Sequence, residues 1–364
     1  MVEGPFSIFL FPISTLLSKL LYSLAVLLGI VTVVFLLFTA LPGDPAQLML
    51  GQRASEEDVQ MIRRDLGLDL PITTQYLVYL NDLSPVSYFN SKDSDSPFFL
   101  DPLKYWEPTH LFGPVFLKAP YLRRSYQNQR PVADIVLDAL PGTAVLAVTA
   151  ITFATLFGII FGIIGALNKG QFIDRALMVV SIFGMSLPSF VSAILAMWVF
   201  AFLLGEWTGL PVTGSLYEID EFEGRRLVLR NLILPAFTLG VRPLAVFMQL
   251  TRNSMLEVMG MDYVRTATAK GLHHRTVVLK HALRNALNPV ITAVSGWLAS
   301  LLAGAVFVEI VFGWQGLGQV ILNALNTYDL PVVMGSIILV SVIFVVINMV
   351  VDVLYGVFDP RVRA

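Results

Sequence analysis

Three histidines, His273, His274 and His281, crowd into the basic stretch "DYVRTATAKGLHHRTVVLKHALRNALNPVIT", residues 262–292. Imidazoles so close in sequence raise the question of a metal site. His273 and His274 are neighbours and point to different sides of a helix, and His281 stands two turns away with no acidic partner in the segment, so solvated or interface histidines are the better reading. Other chemistries lack their motifs: there is no G-x-x-x-x-G-K-[ST] for nucleotide phosphates, no H-E-x-x-H and no G-x-S-x-G elbow. Cysteine is absent, which removes disulfides and thiolate metal ligands. The sequence therefore assigns no catalytic, metal or cofactor-binding residue.

The remaining candidates lie inside apolar runs, where an ionisable side chain is a site hypothesis by default. Arg242, beside Pro243, either lines a polar pathway or pairs with an acid or with carbonyls freed by the proline. Glu309, near the end of a later run, suits snorkelling or helix capping at least as well as solute contact. Ser186, Pro188 and Gln249 join Arg242 as a tentative translocation path. A carrier coupled to protons or sodium needs a carboxylate near the midplane, and none stands out.

The elements that must position these residues are membrane spans. Of 364 residues 56% are hydrophobic and 14% charged, and the apolar residues gather in blocks of about 20 or more, enough to cross about 30 Å of hydrocarbon. Six spans are expected, at about Leu16–Leu41, Thr143–Leu167, Asp174–Leu204, Leu232–Leu250, Pro289–Val311 and Pro331–Val353. The first is too long for a signal core and reads as a retained anchor covering residues 1–41. Gly158, Gly162 and Gly165 give the second a small face for close helix packing. The third is too long for one straight crossing and carries Pro188, so it is a kinked helix or a surface helix leading into a span.

Residues 42–141 form a long polar segment. "SEEDVQMIRRDLGL" has a serine cap, acids in its first turn and a glycine near its end, the pattern of a short surface helix. The block from about 82 to 120 is rich in proline and in aromatics (Tyr88, Phe89, Phe98, Phe99, Tyr105, Trp106) and reads as an irregular but packed loop.

Lysines and arginines set the orientation. Lys169, Arg175, Arg252, Arg265, Lys270, Arg275, Lys280, Arg284, Arg361 and Arg363 place the loops at 168–175 and 252–288 and the C-terminal tail in the cytoplasm. Both termini then face the cytoplasm, while the loops at 205–231 and 312–330 face outward.

The basic stretch is expected as a helix from Asp262 to Lys270, a break at Gly271, and a second helix from about His273 to Asn288. Thr276, Leu279, Leu283, Ala286 and Leu287 would share one face, with His274, Arg275 and Lys280 largely off it. Small residues, Ala267 and Ala269, beside a glycine suit close docking against a protein.

Here the chain resembles a known family. Asp262-Tyr263-Val264-Arg265-Thr266-Ala267, Ala269-Lys270-Gly271-Leu272 and His281-Ala282-Leu283-Arg284-Asn285-Ala286 with Pro289 are similar to the "EAA" coupling loop of binding-protein-dependent ABC importer permeases, in the dipeptide, oligopeptide and nickel branch. The order and spacing of "PGDP", "LGLDLPITTQYLVYL", "RSYQNQRPVADIV", "GMSLPSF", "GWQGLGQVILNALNTYDLPVV" and "NMVVDVLYGVFDPRVR" extend the resemblance over most of the chain. Leu283 and Arg284 stand where the general pattern has Leu-Pro, a departure typical of this branch. The block near 82–120 is extra relative to shorter relatives.

The resemblance implies an all-α membrane protein with the six-helix transmembrane domain of a type I ABC importer, its permease domain spanning residues 142–364. It implies that Arg265, Thr266, Ala267, Ala269, Lys270, Gly271, Leu272, His274 and Arg275 engage a cytoplasmic ATPase. It implies as partners a second homologous permease, two ABC ATPase subunits and an extracytoplasmic solute-binding protein, in the inner membrane of a prokaryote. This chain would carry no ATPase site of its own. Di- or oligopeptides are the expected cargo, with nickel chelates or another small solute as the alternative. A secondary carrier is the less favoured class, because no inverted repeat is visible. Nucleic acid is not expected as a partner.

Overall fold

A computed structural model describes residues 13–40, 46–47, 55–90, 96–101, 104–105, 108–220 and 224–358. The chain divides into two compact units. One comprises residues 1–23, 139–319 and 342–364, the other residues 24–138 and 320–341.

Helices carry the first unit: part of α1 (Ile13–Ala40), most of α4 (Val132–Leu167), α5 (Phe172–Ser186), α6 (Ser189–Ala196), α7 (Gly205–Thr208), α8 (Arg230–Met259), α9 (Asp262–Ala269), α10 (the runs His274–Thr276, Val277–Ala282 and Leu283–Ala286), α11 (Asn288–Gly304) and α12 (Val306–Phe312), with parts of α13 (Leu317–Asn326) and α14 (Leu330–Phe358). Among the described residues four helices are long and apolar enough to cross a membrane singly, and two bent pairs bring the number to six if each is one span. The third expected span is one such pair: α5 and the run through Leu203 meet at 113°, broken at Pro188, which has no N–H to continue the ladder. The fifth, expected at Pro289–Val311, is not among them as read: it is interrupted at Ala305, between α11 and α12, and the second bent pair is α12 with α13.

Three boundaries differ from the sequence reading. Helix α4 starts at Val132, with Pro141 inside it rather than before it. Helix α8 runs unbroken through Pro235 and Pro243 and continues to Met259, so the basic loop expected from residue 252 opens as helix. Residues 312–330, expected as a loop, contain α13, bent 84° from α12.

The small face of α4 is filled from within the chain. A β-carbon on Gly158 would lie 2.7 Å from the Phe247 Cβ, and one on Gly162 2.4 Å from the Thr251 Cβ, both on α8. The glycines thus allow two helices of one chain to approach at backbone distance, as small residues do between spans. The core around this contact includes Leu146, Ala150, Ala154, Phe247 and Val308. A short hairpin, β4 (Tyr217–Asp220) with β5 (Gly224–Leu227), connects α7 to α8.

The second unit holds α2 (Glu56–Asp65), α3 (Ile72–Leu83) and a three-stranded antiparallel sheet, order β1-β3-β2, from β1 (Val86–Tyr88), β2 (Thr109–Phe112) and β3 (Val115–Leu117). Ser55 caps α2, accepting from the Asp58 N–H at 3.2 Å, and Gly67 follows it with φ +67°. The sheet replaces the irregular loop expected there. Phe89 and Tyr105, both buried, stack at 4.8 Å with Phe116 and Tyr121 against them, so the block has an aromatic core of its own. Trp106 lies outside the described residues. Ser125 bonds Asp329, and the Gln127 amide donates to the Thr327 carbonyl at 2.8 Å, tying this unit's two stretches of chain together.

Candidate functional site

Helices α9 and α10 fold back on the end of α8 because their apolar residues have somewhere to go. Val264, Ala267, Val277, Val278, Ala282 and Ala286 are buried against Met255 and Val258 of α8 and Ala166 of α4. Asp262 sits in the first turn of α9, where a carboxylate suits the helix dipole. Tyr263 fastens α9 to α10: its hydroxyl donates to the His281 carbonyl at 3.4 Å and accepts from the Asn285 amide at 2.7 Å. Between the helices Gly271 has φ +77°, a conformation that costs other residues about 1 kcal/mol or more. A β-carbon there would meet nothing within 4 Å, so the demand is conformational. His273 starts α10, its Nδ1 accepting from the Arg275 N–H at 3.3 Å.

The face expected for α10 holds at Ala286, Leu283 and Leu287, which are buried or packed on the core, but not at Leu279. The helix's middle run, Val277–Ala282, is wound in wider π turns, which shifts every later residue around the axis relative to a 3.6-residue count. Val277 and Val278, which open this run, are buried, and Leu279, expected inside, is 57% exposed.

Of the residues assigned to a partner contact, Ala267 is buried in this chain's own core. A short side chain there lets α9 close on α10, and that fold role replaces the docking role expected for it. Arg265, Thr266, Ala269, Lys270, Gly271, Leu272, His274 and Arg275 are exposed. The Thr266 hydroxyl bonds back to the Asp262 carbonyl at 2.8 Å. The exposed set, the rim of this element, joins the cations Arg265, Lys270 and Arg275 with one large apolar side chain, Leu272, on a base packed against α8.

An ion pair that the sequence reading missed anchors this base. Arg252, counted there only as an orientation charge, makes a two-pronged contact with Asp174, Nε to Oδ1 at 2.5 Å and Nη2 to Oδ2 at 2.7 Å. Both side chains are largely buried. The Gly170 N–H donates to Asp174 at 2.8 Å. The start of α5 is thus pinned to α8 by a planar fork, the strongest common geometry for such a pair.

The tentative path residues are only partly assembled. Ser186 and Pro188 lie exposed at the α5–α6 bend, and the Ser186 hydroxyl is spent on the Ile182 carbonyl at 2.8 Å. Gln249 on α8 donates to the Ser181 hydroxyl at 3.1 Å. Arg242 is exposed and makes no ion pair or hydrogen bond among the described residues, so its expected acid or carbonyl partner is not found. Seven residues apart, Arg242 and Gln249 share one face of α8.

Glu309 does not snorkel; of the roles expected for it, helix capping holds, at the start of α13. It is fully buried, accepting from the Thr143 hydroxyl at 2.6 Å and the Gly318 N–H at 2.7 Å. Thr143 in turn accepts from the Leu317 N–H at 2.8 Å, so two side chains from elsewhere satisfy the free N–H groups opening α13. Trp314, also fully buried, donates to the Gly142 carbonyl at 3.0 Å. A β-carbon on Gly316 would fall 2.4 Å from the Glu309 carboxylate.

A helical, multi-span membrane protein with a folded basic element between two spans is the class this geometry defines. The family described as "Binding-protein-dependent transport system inner membrane component" matches residues 158–364, and its N-terminal counterpart matches residues 13–100. The chain belongs to this family and is a multi-pass permease of the inner membrane. Among its relatives are the di/tripeptide transport system permease protein DppB of Pseudomonas aeruginosa, 36% identical over 92% of this chain and 94% of that protein, and the dipeptide transport system permease protein DppB of Alkalihalophilus pseudofirmus, 33% identical over 95% and 98%. The glutathione transport system permease protein GsiC of Escherichia coli is 35% identical over 95% and 98%. An inward-facing structure of the MetNI methionine ABC transporter aligns with a TM-score of 0.48 at 16% identity, covering 60% of this chain and 93% of that one.

Proposed function

We propose that this chain is the permease of an ATP-driven importer of short peptides, and that its rim at α9–Gly271–α10 docks in a cytoplasmic ATPase subunit. Closure of two such ATPases on ATP would push the rim and switch the spans between inward-open and outward-open states. A second, homologous permease and an extracytoplasmic solute-binding protein complete the assembly. Both termini and the rim face the cytoplasm by the distribution of lysine and arginine, and the long segment at 42–141, which follows the first span, then faces outward.

One observation carries the docking reading. The segment between α8 and α11 is not a solvated charge signal but a folded element, with a glycine in a left-handed turn at its tip and Leu272 41% exposed among cations. An apolar anchor ringed by charge is the anatomy of a protein contact. The peptide cargo is supported by the relatives, which are named as transport permeases for dipeptides, di/tripeptides and glutathione.

The test is Gly271→Val in the complete importer. A β-branched residue is strained at this φ and should lower ATPase association at least tenfold and abolish dipeptide uptake, with the spans still inserted. Arg275→Ala, on the rim, should weaken association two- to fivefold and in a salt-dependent way. Normal uptake in Gly271→Val would leave the segment a topology signal only.

A further inference from the structure

In the second unit a cleft of about 880 Å³ has Arg64, Lys104, Arg123 and Arg124 on its walls, together with Asp69, Asp82 and Asp101. Asp82, 1% exposed, organises it. The Tyr105 hydroxyl donates to its Oδ1 at 2.7 Å, and Lys104 Nζ lies 3.0 Å from the same oxygen. Arg123 Nε is 3.6 Å from Oδ2, which has no hydrogen-bond partner. Behind these, Lys118, itself buried, donates from Nζ to the Asp82 backbone carbonyl at 2.6 Å. Two cations therefore converge on one carboxylate, with a third on the backbone of the same residue. Lys104 brings three N–H donors and Arg123 five, more than Asp82 can accept.

The cations are also held in place. Arg123 has φ +67° and Gln129, another wall residue, φ +59°. Such backbone costs a non-glycine residue about 1–3 kcal/mol and persists where the surroundings over-determine it, commonly at ligand sites. The Arg123 guanidinium lies 5.2 Å over the Tyr79 ring, and Lys104 sits 4.9 Å over that of Tyr105. Converging positive charge in a partly desolvated cleft is costly until an anion arrives.

We propose that this cleft binds the carboxylate end of a small solute, with Lys104 and Arg123 as its anchors and Asp82 as the residue that positions them. A guanidinium fork matches a carboxylate in shape, and the volume suits a small ligand. Asp69 and Asp101 place the opposite sign on the same walls, which favours a zwitterion over a polyanion. That the solute is a short peptide, met by its C-terminus, rests on the cargo and sidedness proposed above.

Binding of radiolabelled Ala-Ala to the full chain in nanodiscs tests this. Saturable binding is expected, with Kd raised at least tenfold by Lys104→Gln. Since Lys104 also pairs with Asp82, Arg64→Gln serves as a second variant that alters only an exposed side chain of α2, with a rise of about threefold expected. Unlabelled acetate should compete and Ala-Ala amide should not. No saturable binding, equal competition by amide and free acid, or an unchanged Kd in both variants would overturn the site. If the complete importer takes up no peptide while acetate still binds in a Lys104-dependent way, the cargo proposal falls and the carboxylate site stands.

Discussion

Glu309 and Asp82, one in each unit, are the most deeply buried carboxylates among the described residues, and they are satisfied in opposite ways. Glu309 is met by neutral donors, the Thr143 hydroxyl and the Gly318 N–H, in a clasp closed tightly enough that Gly316 has no room for a β-carbon. The Asp82 carboxylate is met by Lys104 and Arg123, with Lys118 on its backbone carbonyl, yet keeps one oxygen without a hydrogen bond and opens on a cleft. A buried acid whose bonds close on helix ends is a fastener. One that gathers more cations than it can neutralise leaves a field for something else to complete.

The largest effect should come from breaking the fastener. Glu309→Ala strands the Thr143 hydroxyl and the Gly318 N–H and leaves a cavity. Two unsatisfied donors at about 1–3 kcal/mol each, with the lost packing, put the cost at about 3–5 kcal/mol. Glu309→Gln, which keeps the shape and one acceptor, should cost about 1–2 kcal/mol. Unfolding of both variants in detergent micelles measures this, and a Glu309→Ala midpoint equal to wild type would make the clasp ornamental. Asp82→Asn should cost less, about 2–3 kcal/mol, because the Tyr105 bond can persist and Lys118 bonds the backbone rather than the side chain. Its damage should be confined to the second unit, read as faster hydrogen exchange in β1 and β3 with α8 unchanged. Faster exchange in α8 as well would contradict a local cluster.

What was legible in the sequence was local. The spans, the Ser55 cap of α2 and the Gly271 turn follow from apolar run length, capping chemistry and a glycine at a reversal of direction. The two acid sites were not legible, because their partners are distant in sequence: Thr143 stands 166 residues from Glu309, and Lys118 36 from Asp82. Nothing in "GWQGLG" by itself says that its glycines make room for a carboxylate. Leu279 failed for another reason. A 3.6-residue count is right only while the helix stays α, and no residue type in "VVLKHA" marks the π turn that carries Leu279 outward. The small face of α4 was read correctly as a packing surface, but the sequence could not say that α8 of the same chain fills it, so those glycines give no support to a second permease. The site thus divides: the rim around Gly271 was visible as motif and turn, whereas the Arg252–Asp174 fork that anchors its base, 78 residues apart, was seen only as two charges.

The smallest expected effect sharpens the Asp82 side of the comparison through pH. Burial pushes Lys118 down to about 8 from its ordinary 10.5, with Asp82 opposing the shift and Lys104 adding to it. Between about pH 8 and 10.5 the unfolded chain therefore holds a proton that the folded one has released. Where the unfolded state binds more protons, stability rises with pH. Below pH 8 Lys118 is charged in both states and contributes no slope. Four tyrosines act in the opposite sense: the buried Tyr79 and Tyr105 and the half-buried Tyr121 and Tyr126 are all pushed up, chiefly by desolvation, so above about pH 10 the unfolded chain loses phenolic protons that the folded one keeps, and stability falls. The second unit should accordingly be most resistant to pulse proteolysis near pH 10, with a shallow rise leading up to it from pH 8. Lys118→Met keeps the apolar stem and removes the titrating head, so it should abolish the rise while leaving the fall above pH 10. A rise that survives in Lys118→Met would mean that another group gives up the proton and that Lys118 is not the strained cation of the cluster.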